Sequence, residues 1–321
     1  MTQQHRAASA QRARRRAGAA LAAALTTAAA VAAVAGPAGA SAAKKGPAAT
    51  VTKAGVMVPF MAASSSKSFS STVSSLKSAV SSAGMMVLGT LNQAGALSVT
   101  GLQLRGAETF FVGNPTVGKK LFEMNPAIGA VIPVRIYVWV NAAGKTEVGY
   151  LQPSKLASAV DPKMASSLKM IDMTATKIAK GATGSAPKTL GTVHGVEFIS
   201  KKARKSFSST VSGLKTAVSS KGMMVLGSIN QAGALSVTGL QLKGAETFFV
   251  GNPTVGKKLF QMTAAAGMEI PVGMYLWVNG KGASEIGYFQ PGPVLRGISK
   301  SLGSSAGMFN SLASGITKAA A

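Results

Sequence analysis

Apolar positions in this chain follow two rhythms, helical and alternating, and the whole succession of rhythms occurs twice. Phe69, Val73, Leu76 and Val80 fall at helical spacing between Ser68, a capping residue, and Gly84, a stop; Phe207, Val211, Leu214 and Val218 repeat the pattern between Ser206 and Gly222. Met85–Leu91 then predicts a strand leading to a turn at Asn92-Gln93-Ala94-Gly95, followed by a second strand pair through Ser98–Leu104 and Glu108–Val112. A helix carrying Val117, Leu121, Met124 and Ile128 comes next, then strands over Val134–Val140 and Thr146–Leu151 joined by a Gly-containing hairpin loop. Ahead of each copy a short apolar run, Val56–Phe60 or Val196–Ile199, predicts an edge strand, a place that tolerates Pro59.

The junction between strand and second helix is the most sharply written stretch. A-E-T-F-F-V-G-N-P-T-V-G-K-K-L-F stands at Ala107–Phe122 and again at Ala245–Phe260. Gly113 and Gly251 permit a tight turn, Asn114 and Asn252 suit the helix N-cap, and Pro115 and Pro253 suit its first position. A shift of 138 residues lays Ser68–Pro153 on Ser206–Pro291 without a gap, with roughly three quarters of the positions identical. Many exchanges are apolar swaps, such as Val138 for Leu276, which repack a common core. Strands joined by short turns, in the order strand, helix, strands, helix, strands and a short helix per copy, predict an α+β fold: two tandem two-layer domains, each a mainly antiparallel sheet with helices on one face. The other face must meet something. Tyr137 and Trp139, and likewise Tyr275 and Trp277, point to one side of the penultimate strand, as a binding surface or as packing within or between domains.

The organisation that follows is an export signal over 1–42, a first repeat domain over 51–160, a helix and flexible linker over 161–192, a second repeat domain over 193–300 and a tail over 301–321 with a weak amphipathic helix. The start has a basic, acid-free head, an alanine-rich apolar run broken by Gly36 and Pro37, and A-x-A cleavage patterns ending at Ala40 and Ala42. Export to the cell exterior, periplasm or envelope is the expectation, with a plastid thylakoid lumen as the alternative; Arg14-Arg15-Arg16 leaves the Sec and twin-arginine routes open. The formal charge of +25 favours anionic partners, among them small molecules, glycans and lipid surfaces. The absence of cysteine removes thiolate nucleophiles, Cys-ligated zinc, iron–sulfur clusters and disulfides from consideration.

Three stretches together resemble a known family: the helix S-F-S-S-T-V-S-S-L-K-S-A-V-S-S-A-G-M, the junction F-V-G-N-P-T-V-G-K-K-L, and the strand I-P-V-R-I-Y-V-W-V-N with its Gly-rich hairpin. The chain is similar to the domain of unknown function 302 family, in two copies covering about Val56–Val160 and Val196–Ser299. The resemblance implies a two-layer α+β fold similar in topology to half of the TATA-binding-protein saddle, and it implies no established activity. Where such proteins often carry a histidine after the first long strand, this chain has Asn92 and Asn230, neutral amides that do not titrate.

Candidate chemistry centres on the Gly-Asn-Pro turn. Gly113 to Lys119, and Gly251 to Lys257, match the spacing of a phosphate-binding loop between strand and helix. The next residue is Lys120 or Lys258 instead of a magnesium-binding Ser or Thr, and Pro115 lacks one backbone donor, so anion binding fits the turn better than nucleotide hydrolysis. The histidine beyond the signal, His194, has Val56 as its counterpart, and no nucleophile elbow is visible, so no catalytic residue is assigned. Paired methionines such as Met85-Met86 point to opposite sides of a strand and serve better as core than as copper ligands; no metal site or cofactor is expected. The candidate ligand residues are Asn92, Gln93, Asn114, Thr116 and Lys119, with Asn230, Gln231, Asn252, Thr254 and Lys257 in the second copy. The expectation is an exported, non-enzymatic protein whose repeats pair within the chain and bind an anionic ligand or envelope partner. A hydrolase or nucleotide-dependent enzyme using the turn, and a pairing module without a ligand, are the alternatives, and nucleic acid ranks below an envelope partner.

Overall fold

Each copy builds one six-stranded antiparallel sheet, and each sheet borrows a strand from the segment that leads into the other copy. The structure is a computed structural model and describes residues 50–51 and 55–321, so the segment over 1–42 expected to be an export signal lies outside the described residues. In the first copy β2 (Val56–Ser65) leads to α1 (Phe69–Ser82), β3 (Met86–Asn92), α2 (Gln93–Ser98), β4 (Ala107–Gly113), α3 (Pro115–Met124), β5 (Val134–Val140), β6 (Thr146–Leu151), α4 (Pro153–Val160) and α5 (Lys169–Thr183). The second copy repeats this order with β8 (Phe198–Lys202), α6 (Phe207–Ser220), β9 (Met224–Asn230), α7 (Gln231–Ser236), β10 (Ala245–Gly251), α8 (Pro253–Met262), β11 (Val272–Val278), β12 (Ser284–Phe289), α9 (Pro291–Ile298) and α10 (Ala306–Ala320).

Two further strands, β1 (Thr50–Val51) and β7 (Lys188–Val196), precede the copies, and they exchange. The sheets run β3-β4-β5-β6-β2-β7 and β9-β10-β11-β12-β8-β1. β7, which enters the second copy, pairs with β2 of the first; β1, which enters the first, pairs with β8 of the second. The two segments pass where Gly55 lies against the backbone of Gly195, and a Cβ on Gly55 would overlap it. Gly195 is itself left-handed at φ +70°, so glycine is required at this crossing.

The exchange corrects one sequence expectation. The run Val56–Phe60 is an interior strand, held by β6 on one side and β7 on the other, because the chain leading into the second copy covers its free edge. Pro59 is accommodated between two register shifts, and its carbonyl accepts the Gln152 N–H at 3.0 Å. The expected strand at Ser98–Leu104 is also absent, since a short helix occupies Gln93–Ser98. Asn92 turns its Oδ1 to the Gly95 N–H at 2.7 Å, which caps that helix and withdraws the segment from the sheet.

Helices cover the outer face of each sheet. Leu76 and Val80 of α1 pack with Ile171, Ala175 and Ile178 of α5 over Phe110, Ile136, Val138 and Val148. In the second copy Leu214 and Val218 of α6 pack with Ala313 and Ile316 of α10 over Phe248, Met274, Leu276 and Ile286. The helices within 161–192 and 301–321 therefore belong to the two-layer packing, and Ile178 and Ile316 occupy equivalent places at the same 138-residue shift. The stretch expected to be flexible ends α5 at Gly184, left-handed at φ +82°, and passes into β7 at Lys188.

Candidate functional site

The Gly-Asn-Pro turn forms as its residues dictate, and its polar groups are consumed in forming it. The Asn114 Oδ1 accepts from the Thr116 and Val117 N–H groups at 2.9 and 3.3 Å, while its Nδ2 donates to the Gly84 carbonyl at 2.8 Å. Asn252 makes the same bonds to Thr254, Val255 and Gly222. The amides that an anion would need at the helix start are thus held by a side chain. Thr116 and Thr254 are exposed beside the turn.

The paired lysines reach across to the other copy. Lys119 Nζ donates to the Thr238 carbonyl at 3.2 Å, and Lys257 Nζ donates to the Thr100 carbonyl at 2.8 Å. Both carbonyls lie just beyond the C-terminal end of a short helix, α7 or α2, where a cation is favoured. Lys119 also lies 4.0 Å from Glu123.

Asn92 and Asn230 are exposed caps of α2 and α7, whereas Gln93 and Gln231 are buried. The Gln93 Nε2 donates to Thr109 Oγ1 at 2.6 Å, and Gln231 Nε2 donates to Thr247 Oγ1 at 2.6 Å and to the Gly129 carbonyl of the other copy at 3.2 Å. The Oε1 atoms of both glutamines are buried without a partner. Within one copy Asn92 pairs with Glu108 while Gly113, next to Asn114, pairs with Met86, which puts the two asparagines at opposite ends of β3 and β4, roughly 20 Å apart. Across copies the structure does bring Asn114 and Gln231 together, in a cleft of about 40 Å³ that Pro115, Gly118 and Leu235 complete.

The inner faces of the two sheets close on one another. Tyr137 and Trp139 stack at 5.2 Å, Tyr275 and Trp277 at 5.1 Å, and all four are buried. The Tyr137 hydroxyl donates to the Ala264 carbonyl at 2.7 Å, and the Tyr275 hydroxyl donates to the Pro126 carbonyl at 2.8 Å, so each ring is anchored in the opposite copy. Gly267 lies under Tyr137 and Gly129 under Tyr275; a Cβ at either would overlap the phenol. Between these anchors Phe111 stacks on Phe249 with centroids 4.4 Å apart.

At this point the two copies differ. Arg135 of β5 corresponds to Gly273 of β11, and Val131 corresponds to Glu269. The Arg135 guanidinium lies 5.8 Å from both the Phe111 and Phe249 ring centres. Its Nη1 donates to the carbonyls of Met268 and Glu269, each at 3.0 Å, and its Nη2 donates to that of Pro271 at 2.8 Å. Nε is buried without an acceptor. Glu269 is 7% exposed, and burial raises its carboxyl to about 8 against the opposing pull of Arg135. Burial lowers the Arg135 pKa, with Glu269 and Tyr137 acting the other way, and an arginine so placed stays protonated.

A cavity of about 100 Å³ opens here, lined by Val131, Arg135, Phe249, Glu269, Gly273 and Tyr275 among others. On the second copy's side nothing fills the space in front of Gly273: a Cβ there would meet only Thr247 Cγ2 at 3.7 Å and Phe249 Cε1 at 3.9 Å. Sequence reasoning passed over both charged residues. The available signal was the contrast of V-R-I-Y with V-G-M-Y and of V-I-P with E-I-P, a charge gained in one copy and absent from the other inside apolar runs.

His194 is exposed on β7. Among the described residues no group of three or more His, Cys, Asp or Glu side chains gathers as a metal site, and no helix is long and apolar enough to cross a membrane.

No curated protein matches the chain. Among solved structures, the crystal structure of an uncharacterised conserved DUF302 protein from Bacillus stearothermophilus aligns over 38% of this chain and 97% of its own, at 19% identity and a TM-score of 0.36. The family described as Domain of unknown function DUF302 matches residues 61–181 and again 199–315, spans that take in the helical layer of each copy. The chain belongs to the DUF302 family and carries its α+β domain twice.

Proposed function

We propose that this protein is an exported, non-enzymatic binding protein whose two copies pair within the chain and hold a small anionic ligand between them. The observation that carries this is Arg135: a cation placed at the centre of the interface, lining a cavity, with N–H groups left over after three main-chain carbonyls have fixed its plane. The anion moves from the Gly-Asn-Pro turns to the interface because the turn amides are already engaged. Export rests on the basic head, alanine-rich run and A-x-A pattern of the first 42 residues.

Thermal unfolding of the full chain against phosphate, sulfate and acetate, at low and moderate salt, tests the proposal. A ligand that binds only the folded state stabilises it by about 2.7 kcal/mol at one hundred times its dissociation constant. The expected result is a rise in midpoint that survives moderate salt and disappears in Arg135→Gln.

The reciprocal bonds of Lys119 and Lys257 favour a second reading, pairing without a ligand. On that reading no anion moves the midpoint, and loss of either lysine still lowers it.

A further inference from the structure

The broken symmetry at the interface specifies more than an anion. Arg135 has five N–H groups, of which three are committed to carbonyls. The remaining two are the Nε–H, which is fully enclosed, and one Nη2–H; Arg135 is the one cation in the lining, so a monoanion is matched in charge whereas the second charge of a tetrahedral dianion would find no cation there. The rest of the lining is largely apolar, Val131 among it, with Phe249 on the side that Gly273 leaves open. About 100 Å³ is room for roughly four to six non-hydrogen atoms, judged against the benzene-sized cavities of about 150 Å³.

We propose that this cavity takes a short-chain monocarboxylic acid, its carboxylate beside the Arg135 guanidinium and its apolar end against Phe249, Val131 and the open face of Gly273. The proposal rests on the anion-binding reading above and adds the class of ligand.

Glu269 sets the conditions for binding. Protonated, its carboxyl donates a hydrogen bond toward the ligand; ionised, it repels the ligand and competes for Arg135. The groups around it are Arg135, which opposes its raised pKa, and the neutral phenols Tyr137, Tyr275 and Tyr288, the last two of which line the cavity. Affinity for a carboxylate therefore falls as pH rises through about 8.

The test is calorimetric titration of the full chain with butyrate, acetate, phosphate and sulfate at pH 6.5 and pH 9, in the parent, Gly273→Val, Glu269→Gln and Arg135→Gln proteins. Butyrate is expected to bind more tightly than acetate, and phosphate and sulfate not to bind. Gly273→Val, whose Cβ enters open space on the cavity side, should cost tenfold or more in butyrate affinity while the protein stays folded. Glu269→Gln should retain at pH 9 the affinity that the parent shows only at pH 6.5. Binding of phosphate or sulfate that requires Arg135 would overturn the carboxylate class and leave the anion reading standing. Butyrate binding indifferent to Gly273→Val would overturn the placement. If none of the four anions binds at either pH, both proposals fall together.

Discussion

Lys257 of the second copy donates its Nζ proton to the carbonyl of Thr100 in the first at 2.8 Å, and Lys119 returns the bond to Thr238 at 3.2 Å. A residue type that on a surface would attract solvent or a free anion thus serves to tie the copies together. Each bond is charge-assisted and partly buried, so Lys119→Met and Lys257→Met should each cost about 1 kcal/mol. The sites are distinct, and the double variant should cost close to the sum; urea unfolding of the three proteins measures it.

The Phe111 and Phe249 rings bring the two sheets into direct contact. Truncating Phe249 to Ala removes a buried ring from both copies' packing and should destabilise by about 3–5 kcal/mol. Coincident unfolding transitions by fluorescence and far-ultraviolet circular dichroism would show that the copies still unfold as a unit, and separated transitions that this contact couples them.

Gly267 is compelled by the Tyr137 ring that rests on it. Gly267→Ala should cost about 1–3 kcal/mol through overpacking, and Gly129→Ala should match it beneath Tyr275. Gly273→Val goes the other way. It puts a strand-favouring residue where an added Cβ meets nothing closer than 3.7 Å and should stabilise the ligand-free protein by about 0.5–1 kcal/mol, read as a higher midpoint in thermal unfolding.

The pH dependence has a definite sign. The Glu269 carboxyl is raised from 4.5 in the unfolded chain to about 8 in the folded one. Between those values the folded state binds more protons than the unfolded state, so stability falls as pH rises and the loss is complete above about 8. Glu269→Gln removes the titration. Its midpoint should exceed that of the parent clearly at pH 8.5 and hardly at all at pH 4.5, as thermal scans across that range would show.

Much of the local structure was legible because its causes are local. The apolar spacing of Leu76 and Val80, the Asn114-Pro115 start of α3 and the opposed faces of Tyr137 and Val138 follow from hydrogen bonding and periodicity within a few residues. The strand expected at Ser98–Leu104 failed for a reason equally local but weaker: Asn92 can end a strand or cap a helix, and the choice lies in one hydrogen bond to Gly95. Of the candidate site residues, Asn114 and Asn252 went to capping, Lys119 and Lys257 to the opposite copy, and Gln93 and Gln231 into the interface.

By itself the sequence determined that this is a duplicated α+β domain with its sheets, helices and turns in a known order, because alternation, helical spacing and capping are written in neighbouring residues. Only the tertiary structure decided that β1 and β7 change places, that the aromatic faces close on each other, and that Arg135 lies over two rings beside the carbonyl of Met268, a residue 133 positions away. An exposed apolar face states that it needs a partner and does not name one. Which surface covers it depends on the shape and charge of the whole assembled chain.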